Sequence, residues 1–227
     1  GGGPGRGAAP PGEIFGREGE VIRAAIGGRE IRIDVSGRRL PGWFNLQNMI
    51  AAAAATWEYA GRRAPDAWRD AAESAFREFP GVEHRLEFVA EAGGVKFYND
   101  SIATNPESTL AALDALPGPY ILIAGGYDKK LPFDALAKAV AARVRDCVLI
   151  GQTADAIGRL VQSTGGPARL HRAATLPEAV ETAFRLAGPG DTILRSPACA
   201  SFDLFRNFAE RGRVFKDEVR KRLALPP

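Results

Sequence analysis

A chain of 227 residues with 45% hydrophobic content is long enough for one large core or two small ones, and its composition excludes a fibrous or wholly disordered protein. Thirty Lys and Arg against 27 Asp and Glu leave a net charge of +3, spread along the chain, which gives no case for nucleic-acid binding. No apolar run is long enough to span a bilayer, and the start lacks the charged and apolar regions of a secretory leader, so the cytoplasm is the expected compartment. Cys147 and Cys199 both sit in apolar stretches and are expected to be reduced core residues. The chain opens on Gly1 and its only methionine is Met49, so further sequence upstream is expected.

Residues 1–12, GGGPGRGAAPPG, cannot bury enough apolar surface to offset their ordering entropy and are expected to be disordered. Three short strands follow, in EIFGR, EVIRAAI and REIRIDV, punctuated as turns by Gly16, Gly19, Gly27 and Gly28. NLQNMIAAAAATWEYAG predicts an alanine-rich helix with Asn45 capping its start and Gly61 ending it, and a second helix is expected over 65–79 with Pro65 in its first turn. Trp43, Trp57 and Trp68 are expected in a core or between domains.

From residue 80 onward strands alternate with helices. Strands are expected at 86–90, 95–98, YILIA, CVLIG, 168–170 and DTILRS; helices at 106–116, 133–142, 154–162, 176–186 and from about Asp203. Continuously apolar strands between helices require a parallel sheet covered on both faces, an α/β doubly wound domain. Such sheets bind ligands at the C-terminal ends of their strands. That rule singles out the loops NDSIATN, AGGYDKK, GQTAD and SPACAS.

In the first loop, Asp100, Ser101, Thr104 and Asn105 suit either a helix start or, for Asp100, a ribose-hydroxyl or magnesium-linked role. In the second, Gly125 and Gly126 allow a sharp turn, Lys130 is expected in solvent, and Lys129 can face a carboxylate. In the fourth, a helix starting near Ser201 could offer an anion site or simply be capped by that serine. His84 and His171 show no ligand-spaced partners, so no metal site is expected, and no nucleophilic triad is present. The chain contains no Walker-type Gly-Lys-Ser/Thr loop.

Taken in order, FNLQN, EHRLEFV, FYNDSIATNPEST, ILIAGGYDKKLPF and SPACASFDLFRNFAERGRVF resemble the Mur ligase family, in particular its D-glutamate-adding members. The resemblance implies that 1–79 is the tail of a central ATPase domain and 80–227 a whole C-terminal Rossmann-like domain. It further implies that Asn45, Asn48, Arg85 and Asp100 bind nucleotide and that Thr104, Lys129, Ser201 and Phe208 bind D-glutamate. Phe44 stands where the family often has His, which bears on a hydrogen bond near adenine, and Ile102 where it often has Lys, which removes a phosphate contact. The implied reaction joins D-glutamate to UDP-N-acetylmuramoyl-L-alanine with ATP and Mg2+, the metal ligands and phosphate loop lying upstream of Gly1. A cytoplasmic monomer is implied, with no nucleic-acid or membrane partner and with this piece inactive by itself. The alternatives are a non-catalytic binding remnant and a related ligase with another amino acid, against which SPACAS and NDSIATN argue.

Overall fold

The computed structural model describes residues 14–26 and 29–225. The expected disorder of 1–12 and the expected turn at Gly27 and Gly28 lie outside these. The chain divides into two compact units between Pro80 and Gly81.

In the first unit, β1 (Ile14–Glu18), β2 (Val21–Ile26) and β3 (Arg29–Asp34) form an antiparallel meander. Alternation sets its two faces: Ile22, Ala24 and Ile33 are fully buried, while Arg32 on the other face reaches Glu18 at 3.0 Å and Glu30 at 3.1 Å. Gly19, at φ 59°, makes the expected β1–β2 turn, but Gly16 lies inside β1, where extended pairing overrides its breaker character.

The alanine-rich helix α1 runs Trp43–Thr56 and passes into a π-helical turn, Trp57–Gly61; α2 follows at Pro65–Glu78 with proline in its first turn. Asn45 does not cap α1. The cap position is Gly42, and Asn45 sits buried inside the first turn, its amide donating to the Pro41 carbonyl at 2.7 Å. Gly61 is the last residue of the π turn, and glycine is required there because a Cβ would lie 2.1 Å from the Trp57 ring. Trp57 and Trp68 pack edge to face at 5.1 Å in the core with Leu46, Met49 and Ala53. Trp43, by contrast, is 48% exposed, with the Arg17 guanidinium 4.2 Å above its ring.

The second unit is built on a six-stranded sheet of order β4-β5-β9-β6-β7-β8. Its strands are β4 (Glu87–Ala92), β5 (Val95–Asn99), β6 (Tyr120–Ala124), β7 (Val144–Leu149), β8 (Arg169–Arg172) and β9 (Thr192–Arg195). All neighbours are parallel except β4, which forms an antiparallel hairpin with β5 at one edge. Helices α3 (Pro106–Ala115), α4 (Asp134–Arg143) and α5 (Ala154–Thr164) pack together, as do α6 (Leu176–Leu186) and α7 (Phe208–Leu223). The first three connect strands advancing across the sheet, and α6 returns the chain to its middle; right-handed crossovers therefore put the two groups on opposite faces. This is the expected doubly wound architecture.

Phe97, Ile121, Ile123, Ile193 and Phe215 are at most 2% exposed in its core. Burying each such side chain contributes on the order of 1.5–3 kcal/mol. Cys147 and Cys199 are buried and unbonded to one another. Among the described residues no helix is long and apolar enough to cross a membrane.

One boundary differs. The last helix begins at Phe208, not near Asp203, because Asn207 is its cap: its side chain accepts the Glu210 N–H at 2.8 Å. Residues 201–207 are turns, so Ser201 neither caps a helix nor stands at a helix dipole. Its carbonyl instead accepts from the Leu204 and Phe205 N–H groups at 3.2 and 2.9 Å.

Candidate functional site

β9 lies between β5 and β6, so the loops that follow these three strands meet at one end of the sheet. Their backbones are tied together. The Asp100 N–H donates to the Arg195 carbonyl at 2.8 Å, the Gly125 N–H to Pro197 at 2.8 Å, and the Tyr127 N–H to Ala200 at 3.0 Å. The β7–α5 loop joins them through Thr153, whose hydroxyl and N–H each lie 3.1 Å from Gly126 backbone atoms.

The approach is close enough to demand the glycine pair. Gly125 has φ 99°, and a Cβ on it would stand 2.2 Å from the Ile150 carbonyl oxygen; one on Gly126 would stand 2.4 Å from that of Ala200. All four loops singled out by the strand-end rule therefore occupy one cluster.

Thr104 is half-buried in the β5–α3 loop, where Asn105 and Pro106 start α3, the Asn105 side chain accepting the Ser108 N–H at 2.9 Å. Lys129 is exposed on the β6–α4 loop and makes no hydrogen bond or ion pair among the described residues. Its neighbour Lys130 projects into solvent and pairs with Asp128 at 2.6 Å. Ser201 is 2% exposed, one residue beyond the Tyr127–Ala200 bridge. Phe208 opens α7, and its carbonyl accepts the Ser101 hydroxyl at 2.8 Å, which ties it to the NDSIATN loop. These four side chains are thus carried by three interlocked loops and the helix that follows them.

Asp100 is 4% exposed. One carboxylate oxygen accepts the Leu86 N–H at 3.1 Å and the other the Ser196 hydroxyl at 2.7 Å; Ser196 also reaches Thr109 at 2.9 Å. Burial pushes this carboxyl up to about 6, against the opposing pull of those two donors and of the Arg85 and Arg195 charges. Arg85 is exposed and makes no side-chain bond among the described residues. Asn45 and Asn48, buried and exposed respectively, belong to the first unit.

Several residues escaped the sequence reading. His84 is not without carboxylate partners. Its backbone N–H donates to the Glu87 carboxylate at 2.9 Å, and its ring lies 3.7 and 3.8 Å from Glu83 and Glu87. These three could in principle hold a cation, but the Lys216 ammonium already sits on both glutamates at 2.6 and 2.9 Å.

The Asn99 amide lies 2.9 Å from His84 Nδ1, and the ring meets Phe208 edge to face at 6.1 Å. Burial lowers the His84 pKa, disfavouring charge on the ring, against the pull of Glu83 and Glu87. Gly212 makes room for it, since a Cβ there would stand 2.3 Å from Nδ1. The close sequence EHRLE was the available signal. His171, too, has a partner, Asp146, at 2.8 Å. That carboxyl is buried, which opposes its charge, but bonds from Arg169, Arg145 and His171 hold it down at about 2.

The other unanticipated feature is a pair of buried arginines. Arg211, 1% exposed, donates to Ser101 Oγ, to the Ser101 carbonyl and to the carbonyls of Cys199 and Ala200, all within 2.7–3.0 Å. Arg195, fully buried, donates to the Ile123 carbonyl at 3.0 Å.

Comparisons with known proteins bear on the family and the fold. The family described as "Mur ligase, glutamate ligase domain" matches residues 84–199, which is half of the chain. The UDP-N-acetylmuramoylalanine–D-glutamate ligase of Symbiobacterium thermophilum is 49% identical over 206 residues, covering 90% of this chain and 44% of that protein. Its counterpart in Thermoanaerobacter pseudethanolicus is 44% identical over 204 residues, covering 89% and 44%. The chain therefore spans less than half the length of these relatives. Among solved structures, the UDP-N-acetylmuramate-alanine ligase MurC of Thermotoga maritima superposes with a TM-score of 0.61 at 16% identity, covering 89% of this chain and 44% of that one. MurF of the same organism gives 0.55 at 14% identity, covering 92% and 46%. These two likenesses concern the fold. On the strength of the matched domain, the chain belongs to the Mur ligase family.

Proposed function

We propose that this chain is the D-glutamate-presenting part of a ligase that joins D-glutamate to UDP-N-acetylmuramoyl-L-alanine, a step toward peptidoglycan precursors. The observation that carries the reading is that Thr104, Lys129 and Ser201 stand on three loops locked together at the C-terminal end of the parallel sheet, with Phe208 opening the helix that follows and tied to the first of them. A dicarboxylic amino acid needs a cation and hydroxyl or N–H donors. Lys129 supplies the first, and Thr104 and Ser201 the second. Relatives that bear this activity in their names support the choice of amino acid.

In the full reaction ATP phosphorylates the carboxylate of the UDP-sugar substrate, giving an acyl phosphate and ADP. The amine of D-glutamate then attacks the acyl carbon, forming the amide and releasing phosphate. The contribution of residues 80–227 is proximity and electrostatics: they hold the amine at the acyl carbon and neutralise the two carboxylates.

Residues 1–79 are taken as the end of a central ATPase domain, with Asn45 and Asn48 toward the adenine. In the second unit, Arg85 and Asp100 are likewise assigned to the nucleotide. Arg85 is exposed and makes no side-chain bond among the described residues, which suits it to phosphate. Both Asp100 oxygens already accept a hydrogen bond in a buried setting that disfavours charge, which suits a ribose hydroxyl better than a divalent cation. Magnesium ligands and the phosphate loop are expected outside this chain. The compartment is the cytoplasm and the working form a monomer.

Lys129→Ala tests the assignment. It should weaken D-glutamate binding by about tenfold or more, the scale of one charge-assisted contact, without altering the melting temperature, because the side chain has no partner to lose. Unchanged affinity would remove Lys129 from the pocket.

A further inference from the structure

Arg195 is the last residue of β9, the strand flanked by β5 and β6, and it leads directly into the loop bearing Ser201. It is 0% exposed, yet only one of its nitrogens is bonded, to the Ile123 carbonyl; Nε and the second terminal nitrogen are buried without a partner. Arg211 lies close enough for the two charges to repel, and its bonds go only to backbone carbonyls and to the Ser101 hydroxyl. Among the described residues neither guanidinium has a carboxylate within ion-pair distance, although Asp203 attracts both through space and Asp100 attracts Arg195.

A guanidinium stays protonated, so two positive charges are buried beneath the strand ends with no contacting counter-charge. An uncompensated buried charge is among the more costly features a fold can carry. A bound anion at the loops above would supply the compensation.

We propose that Arg195, with Arg211 beside it, is an electrostatic positioning residue of the amino-acid pocket, whose buried charge favours a substrate carrying two carboxylates over one carrying a single carboxylate. The inference rests on the D-glutamate reading above and deepens it. Arg195 need not touch the substrate: it is fully buried at the end of β9, where a charge is felt at longer range than in water, and the loops bearing Thr104, Lys129 and Ser201 leave β9 and its two neighbours β5 and β6. Nor does the Lys129 side chain, exposed to solvent, substitute for it, because screening weakens an exposed charge more than a buried one.

The test is calorimetric titration of the wild-type chain, Arg195→Met and Arg195→Gln with D-glutamate and with D-glutamine, alongside thermal melts without ligand. Both neutral variants should bind D-glutamate about tenfold more weakly, while the preference for D-glutamate over D-glutamine narrows. The ligand-free melting temperature of at least one should rise, since a buried charge has been removed. A variant that merely disturbed the fold would lose both ligands alike and melt lower. Should the methionine variant fail to fold, the glutamine variant, which keeps a donor for the Ile123 carbonyl, gives the same reading.

Wild-type affinity and preference retained in the variants would overturn the role of Arg195 and leave the D-glutamate reading intact. If the wild-type chain binds no D-glutamate, that reading fails, and melts with glutarate and L-glutamate decide the inference. Stabilisation of wild type but not of Arg195→Gln upholds it; no response from wild type overturns it.

Discussion

The outer face of the small sheet and the loop end of the large one handle charge in opposite ways. On the outer face of the three-stranded sheet, Arg23, Glu30, Arg32 and Glu18 pair across strands in solvent. At the strand ends of the six-stranded sheet, Arg195, Arg211 and Asp100 are buried, and they are held mainly by backbone carbonyls, backbone N–H groups and hydroxyls. Exposed pairs of the first kind add little to stability and are easily replaced. Buried charges of the second kind are costly, and Arg195, Arg211 and Asp100 gather where the loops proposed to bind D-glutamate meet.

The same contrast holds for glycine, and it gives the largest expected effect. Gly126→Ala would drive a Cβ into the Ala200 carbonyl and should destabilise the chain by about 3 kcal/mol or more, read as a lowered urea midpoint. A wild-type midpoint would mean the loops are not interlocked as described.

Asp100 gives the next effect. Its carboxyl titrates near 6 in the fold against an ordinary 3.8, so the folded state holds the proton more tightly. The resulting stabilisation is full below the unfolded value and is lost as pH rises through about 6, amounting to about 2–3 kcal/mol. Asp100→Asn should flatten that part of the stability-versus-pH curve. An unchanged slope would place its origin elsewhere.

The smallest effect is expected in the first unit. A methyl group added at Gly16, inside β1, would meet no atom within 4 Å, so Gly16→Ala should leave the melt nearly unchanged or raise it slightly. A large loss there would mean that glycine is as tightly constrained in the small sheet as at the strand ends of the large one.

The strand and helix periodicities made most of the second unit legible, and Leu176–Leu186 has the bounds expected of it. The insertion of β9 between β5 and β6 was not legible, because sheet order is set by crossover handedness and packing over long separations rather than by any local pattern. The start of α7 was misplaced because Ser201 and Asp203 resemble caps; the decisive pair, Asn207 and Glu210, stood a few residues later. Asn45 has a cap's composition, but the chain enters α1 earlier, at Gly42.

Within the site, the four loops followed from the strand-end rule, and the glycine pair from its place after an apolar strand. Arg195 and Arg211 were missed because arginine in a pattern signals surface. The available clue was an arginine closing the apolar strand TILR, whose four residues are all buried.

If the interlocked loops form an amino-acid pocket selective for D-glutamate, the purified chain should show it directly. Calorimetric titration with D-glutamate, with L-glutamate as control and with and without ATP, should give saturable binding of the D isomer and a much weaker response to the L isomer. Equal binding of both isomers, or none of either by a folded chain, would contradict the assignment.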